Sequence, residues 1–297
     1  MQNDSQSRSQ PVNRIILFLL FLVGGWMIFL LGNNYNSLFP TNDSTLYKWG
    51  ITLLFLALAA VLRWRERTRG YWQIAYALFI AAFANVLNWD LGNFLADWLP
   101  PPGSLAEELA IDKLAQCLPI VLAIILLTLV VGNDLGSIFL KKGDLRWGLR
   151  FGLISFGVFA AIFAVIAILQ ASAPPSQGLT ATGVPLATIV AAIPWILIFC
   201  FANSLMEELW FRGIFLKKLS PFLGMTAAVV VTALVFGSVH VGASYITPVE
   251  MVIFPLIAFA LGLVNGFVMF KTDSIWGSVL FHAGYDLLVI IPILVSV

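Results

Sequence analysis

Long apolar runs separated by short polar stretches dominate the chain. Nine runs approach the length of a membrane helix, which needs about 20 mostly apolar residues: residues 15–32, 46–62, 71–89, 114–132, 149–171, 184–216, 222–243, 249–270 and 274–296. The stretch from Phe151 to Met206 carries no charge at all. It is too long for one span, and the segment Ala171 to Pro185, rich in Pro, Gly, Ser and Thr, divides it in two. Segments this apolar must be helical, because lipid cannot satisfy exposed backbone groups. A membrane barrel would show short alternating strands, and none is visible. The expected fold is all-α: a polytopic transmembrane helical bundle of about nine spans, with eight as the alternative.

Composition agrees with the pattern. Of 297 residues, 60% are hydrophobic and 10% charged, against about 25% charged in a soluble domain. The net charge of +1 gives no broad imbalance of the kind that draws nucleic acid. The two cysteines, Cys117 and Cys200, each lie inside an apolar run and read as buried thiols rather than a metal motif or a disulfide. The first run follows Arg8 and Arg14 as a signal peptide would. It is longer than a usual signal core, no A-x-A site follows it, and a retained span is expected. Spans within 1–183 are expected to form a scaffold, and 184–297 to carry the chemistry, within one continuous membrane domain.

Basic residues set the expected orientation. With the N-terminus cytoplasmic, thirteen of the sixteen Lys and Arg fall on cytoplasmic segments. The intervening loop 90–113 is acidic and external, and its adjacent pair Glu107-Glu108 reads as solvated. The basic, amphipathic stretch Asp134 to Arg150 is expected on the cytoplasmic face, and Lys217 and Lys218 as snorkelling anchors. An integral multi-pass protein follows, in the plasma membrane if the source is bacterial.

Ionisable groups inside a membrane are expensive, from about 2.5 kcal/mol upward at mid-bilayer, and point to function. Here they gather in the last third. The sixth run ends Asn203-Ser-Leu-Met-Glu207-Glu208-Leu-Trp-Phe-Arg212. The seventh holds Phe236-Gly-Ser-Val-His240 and the ninth His282-Ala-Gly-Tyr-Asp286, which account for both histidines of the chain. Glu208 and Arg212 are four apart and can pair. Glu207 is rotated about 100° from Glu208 and can face a cavity. His282 and Asp286 share a face, and Phe236 can pack on His240. Counted from the nearest polar boundary, Glu207, His240, His282 and Asp286 lie roughly 16, 22, 13 and 20 Å deep at about 1.5 Å per residue. Three helices thus bring acid and imidazole to comparable depth. Asn203, one turn before Glu207, is a supporting candidate; Asn265 reads first as a helix-packing residue and second as a pocket residue.

A carboxylate beside an imidazole can take a proton from water and polarise a peptide carbonyl. Two His with Glu and Asp also make a ligand set suited to zinc with an open position for water: Glu207, His240, His282 and Asp286. The zincin pattern H-E-x-x-H is absent.

These motifs resemble the intramembrane proteases that group CAAX prenyl endopeptidases with bacteriocin-processing and immunity proteins (CPBP, also called Abi). That family's pattern is E-E-x-x-x-R, then F-x-x-x-H, then H-x-x-x-N or H-x-x-x-D. Here it reads Glu207-Glu208 to Arg212, Phe236 to His240 and His282 to Asp286, over about residues 184–290. The resemblance implies a hydrolase: a peptidase, either metalloprotease or glutamate protease. Glu207 would activate water, with His240 beside it. His282 and Asp286 would stabilise the oxyanion or complete the site, and Glu208 and Arg212 would be structural. The prenyl endopeptidases carry Asn where this chain has Asp286, a poorer oxyanion donor when ionised and a better metal ligand. One divalent metal and a metal-free glutamate mechanism both remain open. The expected partners are the lipid bilayer and a membrane-associated protein or peptide substrate, with no nucleic acid. The alternatives are a non-catalytic immunity or partner-binding protein on the same scaffold, and a proton-coupled carrier.

Overall fold

The computed structural model describes residues 11–32, 41–98, 102–172, 185–242 and 250–295. Among them the secondary structure is helical, with no strand. Eleven α-helices run in order: α1 (Pro11–Gly25), α2 (Thr41–Trp64), α3 (Trp72–Leu87), α4 (Asn93–Trp98), α5 (Leu105–Val130), α6 (Leu145–Ser172), α7 (Leu186–Glu207), α8 (Leu216–Leu223), α9 (Met225–Val239), α10 (Glu250–Thr272) and α11 (Trp276–Val295). Three π-helical turns interrupt the pattern: Trp26–Leu30, Asn88–Gly92 and Glu208–Gly213.

Seven helical stretches are long and apolar enough to cross a bilayer, and Met225–Val239 and Trp276–Ile290 are shorter apolar helices. Each expected run is matched by one of these nine, so the chain is an integral, multi-pass α-helical membrane protein. The breaker between the fifth and sixth runs falls largely at 173–184, outside the described residues.

Two expectations need correction, those for Glu107-Glu108 and for Lys218. Glu107-Glu108 does not sit in a loop; it opens α5. The Ser104 hydroxyl accepts from the Glu107 N–H (3.3 Å), and Glu107 Oε2 accepts from the Gly103 N–H (3.0 Å). The pair therefore satisfies and charge-complements a helix N-terminus. Residues 134–150 fold into two pieces. They make a 3-10 turn over Leu135–Ile138, capped by Asp134, and then the first turn of α6. Ile138 and Phe139 are fully buried, the Phe139 carbonyl accepts from Ile275 N–H, and Lys141 pairs with Asp273. Those bonds tie the segment to the α10–α11 corner and keep its apolar residues off the lipid. Lys218 is buried rather than snorkelling, and its ammonium reaches no water.

The chain divides into two compact units, Met1–Ala82 with Ile214–Leu263, and Phe83–Gly213 with Val264–Val297, the divisions falling within α3, after the π turn that ends at Gly213, and within α10. In the first, α1 approaches α9 closely at Gly25, where a Cβ would lie 2.6 Å from a Val235 methyl. Trp26 Nε1 donates to Ser238 Oγ (2.9 Å), and Phe21 meets Phe215 edge-on. In the second, α6 packs on α11 and α5 on α7. Its core joins Ile196 and Cys200 of α7 to Ala283, Leu287 and Ile290 of α11. Both cysteines are buried free thiols, as their apolar surroundings imply.

Lipid gives no hydrophobic drive for helices to associate, so contact rests on close packing of small residues. Gly148 and Gly152 of α6 supply it against α11. A Cβ on Gly152 would meet the Leu280 Cβ at 2.6 Å, and Gly277 faces the Gly148 backbone. Gly152→Val is expected to force α6 from α11 and destabilise the protein by about 1–3 kcal/mol. Thermal unfolding of the detergent-purified variant checks this; an unchanged midpoint would show that the helices can separate freely.

Candidate active site

The second unit brings six of the eight named site residues into one polar cluster inside an apolar core. Asn203 and Glu207 come from the last turns of α7, and Glu208 and Arg212 from the π turn that follows. His282 and Asp286 come from α11. The wider turn accommodates the motif: in the π segment all six residues, Glu208 to Gly213, are buried. Such π interruptions recur at functional sites, and nothing in the spacing of Glu207, Glu208 and Arg212 announces one.

Glu208 is the hub. Its Oε1 lies 2.7 Å from Arg212 Nη1, 2.8 Å from Asn265 Nδ2 and 2.7 Å from His282 Nδ1. Glu208 and Arg212 expose none of their side-chain surface, so the pair expected from their spacing exists and is fully desolvated. Burying two charges is tolerable only with such geometry and further hydrogen bonds. The Asn265 amide is one of those bonds, and Ser278 Oγ donates to the Asn265 carbonyl (3.0 Å) and steadies it. Asn265 therefore belongs to the site, correcting its first reading as a packing residue. The signal was present: it is the only side-chain amide between Glu250 and Lys271 in α10. Ser278 carried no such signal.

A carboxylate can only accept, so the short contact from His282 Nδ1 to Glu208 makes that nitrogen the donor. The other ring nitrogen then faces elsewhere. His282 Nε2 lies 3.5 Å from Glu207 Oε2 and 3.5 Å from Asp286 Oδ1. These separations are at the outer limit of a direct bond. Asp286 Oδ2 in turn accepts from Asn203 Nδ2 at 3.1 Å. Glu207 keeps 16% of its side chain accessible, whereas Glu208 keeps none. Adjacent glutamates thus have opposite surroundings, as their rotation around the helix implies.

His240 and Phe236 lie in the first unit. The His240 Nδ1–H donates to the Phe236 carbonyl (2.7 Å) at the C-terminus of α9. Its ring packs edge-on against Phe236 at 4.5 Å and Phe254 at 5.2 Å. The expected Phe236–His240 contact is present, and the carbonyl bond fixes a tautomer whose Nε2 carries the lone pair.

The proposed zinc ligands can be tested by convergence. His282 has one nitrogen committed to Glu208. Among the described residues, no three or more His, Cys, Asp or Glu side chains are grouped as a metal ion requires. Within the second unit, Glu207, His282 and Asp286 are not arranged as ligands of one metal ion.

Arg212→Leu would leave Glu208 a buried, uncompensated anion and is expected to destabilise by about 3–5 kcal/mol. The double variant Glu208→Leu with Arg212→Leu should recover part of that loss while still freeing His282. Unfolding midpoints of the two proteins check it; equal losses would mean that the pair is not coupled.

Residues 188–288 match the family model described as type II CAAX prenyl endopeptidase, Rce1-like. The matched span holds all three motifs, in agreement with the resemblance drawn from them. Comparisons with curated proteins and with solved structures returned no match. The match covers about a third of the chain, and that span is similar to a family of membrane-embedded peptidases.

Proposed function

We propose that the chain is an intramembrane endopeptidase that hydrolyses a peptide bond of a membrane-associated protein or peptide. One observation carries the assignment of roles: Glu207 is partly accessible beside His282 Nε2, while its neighbour Glu208 is sealed and holds His282 Nδ1. An accessible carboxylate can meet water and substrate, and a sealed one can only orient.

In this mechanism Glu207 takes a proton from a water molecule as its oxygen attacks the scissile carbonyl carbon. The negative charge passes to the carbonyl oxygen. His282, when it carries protons on both nitrogens, donates from Nε2 to that oxyanion. Glu208 holds the imidazole in place through Nδ1, so no reorganisation is needed as charge develops. The tetrahedral carbon then expels the amine, which takes the proton held by Glu207. The carbon–nitrogen bond breaks, the water oxygen stays on the acyl product, and the glutamate returns to its ionised form. Asp286 accepts from Asn203 through one oxygen and faces the His282 ring with the other. That arrangement favours an orienting and charge-balancing role over oxyanion donation. His240, with Nδ1–H committed to the Phe236 carbonyl, offers Nε2 as an acceptor. The family pattern assigns it a place beside Glu207. The distribution of basic residues favours a cytoplasmic N-terminus and access from the cytoplasmic side.

Glu207→Gln preserves shape and removes the base. Loss of a general base is expected to lower the cleavage rate about 10²–10⁴-fold. The measurement is cleavage of a membrane-peptide library by detergent-purified protein, read by mass spectrometry, with the variant prepared alongside. Equal cleavage by both proteins would place the base elsewhere.

A further inference from the structure

Lys113 is a charged side chain that the reaction above does not use. It lies within α5 (Leu105–Val130), inside a stretch long and apolar enough to cross the membrane. An ionisable group there points to function and to a partner. A lysine near a helix end ordinarily turns its ammonium toward the membrane surface. Lys113 turns the other way. Its ammonium donates to Gln116 Oε1 (3.1 Å), further into the helix, and lies 5.5 Å from the centre of the Phe199 ring of α7. Leu109, one turn before Lys113 on the same face, packs against the core shared by α7 and α11. The side chain is therefore aimed at those two helices.

The polar cluster lies next along that line. Phe199 and Asn203 are one turn apart on α7 and share a face, and Asn203 Nδ2 donates to Asp286 Oδ2 (3.1 Å). An electrostatic attraction links Lys113 to Asp286. The charges of the cluster call for it. The carboxylates of Glu207, Glu208 and Asp286 meet one guanidinium and one imidazole there. Even with protons on both nitrogens of His282, one negative charge is unmatched. Arg212 is bonded to Glu208. Glu207 is partly accessible, whereas Asp286 is 4% exposed, and a buried anion without a cation is strongly disfavoured. Asp112, next to Lys113 in sequence, is rotated about 100° from it and exposed, so it points away from the cluster.

We propose that Lys113 is a positioning residue of the candidate site, the third cation of the cluster, and that it balances the Asp286 carboxylate. Its part in the reaction rests on the peptidase reading above. With its charge balanced, Asp286 competes less for the proton on His282 Nε2, and that proton stays directed at the oxyanion. Loss of the cation thus weakens an interaction made in the transition state and leaves substrate binding as it was.

The test is a double-mutant cycle on the detergent-purified full chain: Lys113→Met, Asp286→Asn and the two combined, with Lys113→Arg as the conservative variant. Lys113→Met is expected to lower the unfolding midpoint by about 2–4 °C. In the peptide-cleavage assay it should lower kcat about tenfold with KM unchanged. Lys113→Arg keeps the charge and should restore both. Asp286→Asn removes the anion, so adding Lys113→Met to it should cost no further midpoint. If Lys113→Met alone fails to fold, the combined variant should fold. An equal midpoint loss in both backgrounds would overturn the proposal. So would a combined variant that fails to fold, Lys113→Arg behaving as Lys113→Met does, or a raised KM with kcat unchanged. The midpoints need no cleavage, so a failed pairing and a failed peptidase reading are told apart.

Discussion

A carboxylate and a guanidinium with no exposed surface can persist inside an apolar helical protein only as a matched and hydrogen-bonded pair. Glu208 and Arg212 form that pair, and the rest of the polar cluster is built on it. Glu208 Oε1 gathers Arg212, Asn265 and His282 from three segments. The guanidinium neutralises the anion, the amide adds a donor, and the imidazole is fixed by its Nδ1. What remains of His282 is a single nitrogen directed at Glu207 and Asp286. In the proposed reaction, this ion pair orients the imidazole without joining the chemistry.

Adjacent glutamates with different duties are a consequence of helix geometry. Successive residues point about 100° apart, so one can be sealed while the other meets a cavity. The π turn at Glu208–Gly213 buries its own residues. Asp286 fits the same economy of polar groups. Its neighbour Asn203 donates to it, where an asparagine at this position would itself have an N–H to give.

Around this cluster, backbone proximity comes from small residues. Gly148 and Gly152 let α6 reach α11, the helix that carries His282 and Asp286. The bonds from Phe139 and Lys141 to the α10–α11 corner hold the other end of that helix pair. The helix that carries His282 and Asp286 is therefore held against α6 by backbone contact rather than by adjustable side chains.

Sequence alone determined the all-helical, multi-pass class, because an apolar run of span length has no other structure in lipid. It also determined the pairing of Glu208 with Arg212 and of Phe236 with His240, since residues four apart on a helix are neighbours whatever else the chain does. The site residues were legible because a charge or imidazole in an apolar run is rare. Asn265, an amide in the same kind of run, was visible but ambiguous, and Ser278 was not visible. Only the tertiary structure decided which partner each polar group takes: His282 on Glu208, Asn203 on Asp286, Asn265 on the ion pair. It also decided that Glu107-Glu108 opens a helix and that Lys218 is buried. Local spacing specifies neighbours within one helix. Contacts between helices depend on crossing geometry, close glycine packing and π turns, which periodicity in the sequence does not encode.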